Sequence, residues 1–217
     1  VARMYAADVV IWADTFLYKK HATINRCRIK SVAGPQWLTV PVLTGGKSQQ
    51  LISEVCVDPQ HHWKHTHLKS LEVSYQNSPY YFFFADKIQE LLQQSWHHLN
   101  DLDFSTMQFL RRMLRIPAEI FRSRQLSPAQ DRTQRVLDWA VATNCQEYLV
   151  EKDDLPYIDS DRITKSGVSV KLFHFTHPRY HQLFDGFYEN LSALDLLFNC
   201  GESSKMHIKT AISVKGI

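Results

Sequence analysis

The sequence has no apolar run approaching the roughly 20 residues that a membrane-spanning helix needs, and no secretory signal opens it. It has little cysteine. Cys27, Cys56, Cys145 and Cys200 stand far apart, with no CxxC pair. That spacing excludes a disulfide framework and predicts reduced, mostly buried thiols in a reducing compartment, the cytoplasm. It also lacks an excess of charge of one sign. The net charge is +3 and the basic residues are scattered, which argues against a nucleic-acid surface. GxGxxG and GxSxG are both absent. Gly45-Gly46-Lys47-Ser48 imitates the end of a phosphate-binding P-loop, but Pro41 stands where the pattern requires its first glycine. No internal repeat, low-complexity tract or linker divides the chain.

What is present is an ordinary globular composition over 217 residues, 44% hydrophobic and 22% charged. A chain of this length buries about 70% of its unfolded surface without staples. Val9–Trp12 reads as a short buried strand, Arg26–Ser31 as an alternating one, Gly34-Pro35 as a turn, and 37–42 as a strand that Pro41 ends. Residues 51–57 read as another strand. Asp58-Pro59 signals a helix over about 60–75. Asn77-Ser78-Pro79 opens a second, with Ile88, Leu91, Leu92 and Leu99 on one stripe. A third spans 105–115, and a fourth starts at Ser127-Pro128. Strands follow at 119–121, 147–150, 168–172 and 211–214, with a helix over 185–199. Strands alternating with helices predict an α/β fold. The expected architecture is a single domain over 1–217, with a mostly parallel or mixed sheet flanked by helices. Val1-Ala2-Arg3 already reads as folded sequence, so the chain is expected to lack its natural start.

The unusual numbers are 12% aromatics and 11 histidines. Asp14 follows a strand, where α/β sheets gather ligands. Lys19, Lys20, His21, Asn25, Arg26, Arg28 and Lys30 then offer donors suited to phosphate or carboxylate. The plain alternative is a solvated loop feeding an exposed hairpin. His61-His62-Trp63-Lys64-His65-Thr66-His67 opens a helix, placing 61 with 65 and 63 with 67. His61 and His65 form an i, i+4 pair that can bind zinc, with His67 as a third candidate ligand, but the glutamate of HExxH is missing. Packing of Trp63 with His67 as a polar neighbour is the simpler reading, and an imidazole there can also act as a base. His174, His177 and His181 make a second group, interrupted by Pro178. Cys27 sits mid-strand and reads as core. Asp195 and Asn199 share one helix face among leucines. A carboxylate buried there needs a partner, such as Arg26 or another base.

Several of these pieces occur together in one known family. Asp8 and Asp14 precede Tyr18-Lys19-Lys20 and Asn25-Arg26-x-Arg28-Ile29-Lys30. Trp37-Leu38-Thr39-Val40-Pro41, Trp63-x-x-x-His67, Tyr75 and Tyr180-x-Gln182 follow. The chain closes on Leu191-Ser192-x-x-Asp195-Leu196-Leu197-Phe198-Asn199-Cys200-Gly201. In this order and over nearly its whole length the chain resembles the WbqC-like family. The resemblance implies bacterial biosynthesis of decorated sugars, including O-antigen polysaccharide, and of some natural products. It implies a transferase that moves an acyl or aminoacyl group to an amino-sugar or similar amine. It also implies an opening Gln-Pro-containing segment that is absent here. The expected roles are His67 as general base, Asp14 to orient the acceptor, and Asn25, Arg26 and Lys20 to hold phosphate or carboxylate. Trp63, Tyr180, Gln182, Asp195 and Asn199 complete the substrate site. The expected partners are a small-molecule substrate such as a sugar nucleotide and an acyl or aminoacyl carrier. Nucleic acid enters only as such a carrier. A non-catalytic module binding a sugar nucleotide or carrier, and a metal enzyme using His61, His65 and His67, are the alternatives. The residues name no cofactor, and the leading reading includes no metal ligand.

Overall fold

A run of short strands and a run of three helices fill the first half of the chain, and strand and helix alternate from Glu119 to Cys200. The computed structural model describes residues 1–46, 49–126 and 129–217. In chain order the elements are α1 (Ala2–Ala6), β1 (Val9–Trp12), β2 (Arg26–Ser31), β3 (Gly34–Thr39), β4 (Val42–Leu43) and β5 (Cys56–Val57). Helices α2 (Trp63–Tyr75), α3 (Tyr81–Gln93) and α4 (Leu99–Met113) follow, then β6 (Glu119–Arg122), α5 (Arg132–Thr143) and β7 (Glu147–Glu151). The chain continues through α6 (Ser160–Lys165), β8 (Ser169–Phe175), α7 (Ala193–Cys200), α8 (Ser204–Thr210) and β9 (Ile212–Gly216). This is the expected α/β class. None of these helices is long and apolar enough to cross a membrane.

The chain divides into two compact units. The first comprises Val1–Asp14, Ile116–Thr176 and Ile208–Ile217; the second comprises Thr15–Arg115 and His177–His207. In the first unit β1 and β6 pair in parallel, and β7-β8-β9 form a mixed sheet, parallel then antiparallel. Its core gathers Val136 and Ala140 of α5, Ile163 of α6, and Val150, Val168 and Val170 around the sheet. Asp131 caps α5 by accepting from the Gln134 amide at 2.7 Å, and Asn144 ends it in the left-handed conformation. The expected start at Ser127-Pro128 lies outside the described residues, as does the Lys47-Ser48 part of the P-loop-like run.

In the second unit β2 and β3 form a tight antiparallel hairpin turning at Val32-Ala33, and β4 pairs with β5. The turn falls two residues before the expected Gly34-Pro35, which begins β3. Pro41 ends the strand as expected. Ile29, Leu38, Leu71, Tyr75, Ile88 and Phe198 lie in one core. Residues 51–57 are not one strand, because Ile52–Glu54 make a 3₁₀ turn that the Glu54 side chain closes onto the Leu51 amide at 2.9 Å. Leu99 does not continue the α3 stripe. It opens α4, six residues earlier than expected, fully buried with its amide on the Val55 carbonyl at 2.8 Å. The expected helix over 185–199 begins only at Ala193. Phe184, Gly186 and Asn190 have positive φ, which no helix interior tolerates, and Ser192 then caps the start.

Asp103 of α4 has no hydrogen bond or ion pair among the described residues, and burial pushes its carboxyl up to about 8. The unfolded carboxyl ionises near 3.8. Between these values the folded chain retains a proton that the unfolded chain has lost, so stability falls as pH rises through that window. Asp103→Asn is expected to flatten the decline of Tm from about pH 4 to 8. Parallel declines in both proteins would refute this.

Candidate functional site

Helix α2 repeats one face every four residues. Trp63, His67, Leu71 and Tyr75 all point inward and are buried. Leu71 and Tyr75 enter the core, whereas Trp63 and His67 close one side of a cavity of about 350 Å³. Its other side is β3, through Gln36 to Thr39, and His61 and His62 stand at the helix start. Trp63 meets His67 edge-on, with ring centroids 5.2 Å apart. His67 Nε2 lies 3.1 Å from the Thr39 carbonyl. A carbonyl only accepts, so Nε2 carries the hydrogen and Nδ1 keeps its lone pair. Burial holds the His67 pKa below the ordinary imidazole value, against the opposing pull of the Thr39 bond. The ring is therefore neutral near pH 7, which is the form a general base requires.

Of the other expected site residues, Asn25 is buried and donates to the Val40 carbonyl at 2.8 Å. Arg26 donates to the His21 and Ala22 carbonyls and stacks over Trp37 at 4.4 Å, while Lys20 is exposed. Tyr180 donates to Asp195 Oδ1 and Tyr75 to Oδ2, each at 2.8 Å. The partner of the buried carboxylate is thus this pair of hydroxyls, not Arg26. The Lys30 amide donates to the Tyr75 hydroxyl at 2.9 Å, and the Lys30 ammonium is held by the Phe184 and Gly186 carbonyls. Burial raises Asp195, opposed by the two tyrosines, Lys30 and His177. Asn199 donates to the Asp195 carbonyl at 2.7 Å, and Gln182 bonds both ways with the Tyr188 backbone.

Asp14 lies in the first unit, fully buried. Its Oδ1 accepts from the Ser123 hydroxyl at 2.8 Å and the Arg124 amide at 3.2 Å, and the Arg124 guanidinium stands 3.2 Å from Oδ2. It thereby ties together the chain leaving β1 and β6. Cys27 is held as a thiol, raised by burial and bonded to Ser192. His65 does not line the cavity. Among the described residues no group of three His, Cys, Asp or Glu is arranged to hold a metal ion. His177 and His181 belong to a segment with no helix, so their i, i+4 spacing puts them on no common face. Sequence reasoning placed Trp37 in a strand and in the family pattern without a role in the cavity, and it listed Lys30 as a phosphate or carboxylate donor without its amide bond to Tyr75, the residue that anchors Asp195. The strand alternation already placed Trp37 opposite Leu38, which was the available signal.

The family model for the WbqC-like protein family matches residues 1–207. The chain belongs to this family. The chain is also 28% identical over 210 residues to an uncharacterized protein of Mycobacterium tuberculosis, covering 93% of this chain and 90% of that relative. No solved structure matches. The two most specific stretches of the family resemblance, the Asn25-Arg26 run and the closing 191–201 segment, are both largely bonded to their own chain, whereas Trp63 and His67 border open space.

Tyr75→Phe removes one donor to a buried carboxylate and leaves the Lys30 amide without its acceptor. It is expected to cost about 1–3 kcal/mol in urea unfolding. A change within experimental error would show that the Asp195 network does not hold the second unit together.

Proposed function

We propose that the cavity between β3 and the start of α2 is the site of an acyl or aminoacyl transfer to an amine, such as that of an amino-sugar. The single observation that carries this reading is His67. It is neutral and fixed in one tautomer by the Thr39 carbonyl, its Nδ1 has no hydrogen-bond partner among the described residues, and the residue lines the cavity with two tryptophans. An amine needs only deprotonation and positioning to attack an activated carbonyl. Its nitrogen bonds to the acyl carbon, the bond to the leaving group breaks, and His67 passes the amine proton to that group. Trp63 and Trp37 supply flat apolar walls suited to a sugar ring or base. The cations Lys20, Arg26 and Arg28 lie on the chain leading into the hairpin, where a phosphate or carboxylate of the substrate would be held. Family membership supports a setting in the biosynthesis of decorated sugars, and a cytoplasmic location follows from it.

The test is mass-spectrometric detection of an acylated product after incubation with amino-sugar nucleotides and activated acyl or aminoacyl donors. His67→Gln in a folded protein is expected to lower the rate about 100-fold. Since burial depresses the His67 pKa, its base form is complete above its ordinary value of 6.5. The rate should be level above that pH and fall only below it. Substrate binding without turnover, unaffected by His67→Gln, would instead identify a non-catalytic binding module.

A further inference from the structure

Strand β3 pairs only with β2, so its second edge is unpaired in its sheet. The Val40 amide donates to the Asn25 carbonyl at 2.8 Å, which sets the phase of the ladder. Pairs 27–38, 29–36 and 31–34 bond to each other, while residues 26, 28, 30, 35, 37 and 39 turn their backbone groups outward. Three contacts agree with that phase. The Lys30 amide reaches Tyr75, the Arg28 carbonyl accepts from the Ser192 amide at 2.7 Å, and the Thr39 carbonyl meets His67. The outward N–H groups of Trp37 and Thr39 have no partner among the described residues, and both residues line the cavity that His67 closes. A bare strand edge inside a cavity is a template for an extended ligand bearing amides.

Two donors two residues apart on a strand stand about 6.8 Å from each other. In the pantetheine arm of a thioester donor, five bonds separate the last amide carbonyl from the thioester carbonyl, about 6 Å when extended. The phosphate end of such an arm needs cations. Arg26 and Arg28 lie 4.4 and 5.7 Å over the Trp37 ring and make no ion pair among the described residues. We propose that the outer edge of β3 binds the phosphopantetheine arm of an acyl thioester. The last amide carbonyl accepts from Trp37 N–H and the thioester carbonyl from Thr39 N–H, and beyond that amide the arm turns over the Trp37 ring to bring its phosphate to Arg26 and Arg28. This rests on the transfer reading and names its donor. The thioester carbon then lies against the residue whose carbonyl orients His67, and polarisation by Thr39 N–H prepares it for the amine. The C–N bond forms, the C–S bond breaks, and the thiol leaves with the proton that His67 has taken.

The test is ¹⁵N NMR of the whole chain with 4′-phosphopantetheine, pantetheine, coenzyme A, a phosphopantetheinylated carrier protein and an unrelated extended tetrapeptide. The expected result is a shift of the Trp37 and Thr39 amides by phosphopantetheine, with affinity falling about tenfold when the phosphate is absent. Trp37→Pro deletes one outward donor at a position where the ladder does not use it, and should weaken binding about tenfold. Trp37→Phe keeps the donor and an aromatic ring and should weaken binding clearly less than Trp37→Pro, which separates the lost hydrogen bond from the changed side chain. Arg28→Gln should abolish the preference for the phosphorylated arm. Stronger binding by coenzyme A or by the loaded carrier identifies the physiological source. Shifts with the tetrapeptide alone, or no shift at either amide, overturn the proposal. If His67-dependent transfer proceeds from another donor while these amides stay unmoved, this inference fails and the transfer reading stands.

Discussion

One buried carboxylate organises the second unit. Asp195 is fully buried and takes its two hydrogen bonds from Tyr75 and Tyr180. Leaving that charge without donors would cost several kcal/mol, so the hydroxyls have little freedom to move. Each belongs to a different piece of chain. Tyr75 ends α2, Tyr180 lies in the irregular segment before α7, and the Lys30 amide ties β2 to the same hydroxyl. Four segments distant in sequence are thus fixed around one side chain. The Lys30 ammonium lies nearby but bonds to carbonyls, so the charge balance is diffuse rather than a direct pair.

The closing segment of the family pattern follows from this centre. Ser192 caps α7, Asp195 takes the tyrosines, and Asn199 bonds back one turn to the Asp195 carbonyl. Gly201 ends the helix at φ +53° and ψ −128°, where a Cβ would come within 2.6 Å of the Tyr80 ring. Only glycine fits there. Ser192, Asp195, Asn199 and Gly201 thus each have a structural task, and no residue of the segment borders the cavity. A sequence signature can therefore be highly specific and still report packing.

That division explains what the sequence reveals. The strands at 9–12, 26–31, 147–151 and 169–175 are legible because apolar and β-branched runs mark them. The pairing of Trp63 with His67 is legible from four-residue spacing. The turn at Val32-Ala33, the six-residue shift of the α4 start and the delayed α7 are not. Local propensity yields there to the buried Leu99 and to residues held at positive φ. Asp195 and Asn199 attract attention as polar residues in apolar company. The same feature is what a buried hydrogen-bond anchor shows, and only distances separate the two cases.

Helix α2 links the anchor to the cavity. Its buried stripe begins with Trp63 and His67 and ends with Leu71 and Tyr75. At the Tyr75 end it bonds to the outer edge of β2, and at the His67 end to the outer edge of β3. The helix therefore crosses the hairpin diagonally, fastened at both edges by one side chain each. Fixing Tyr75 on Asp195 fixes the axis, and fixing the axis sets where the His67 ring meets the Thr39 carbonyl. A residue two turns from the cavity thus determines which imidazole nitrogen meets the Thr39 carbonyl. The tautomer of His67 is a consequence of how the core closes.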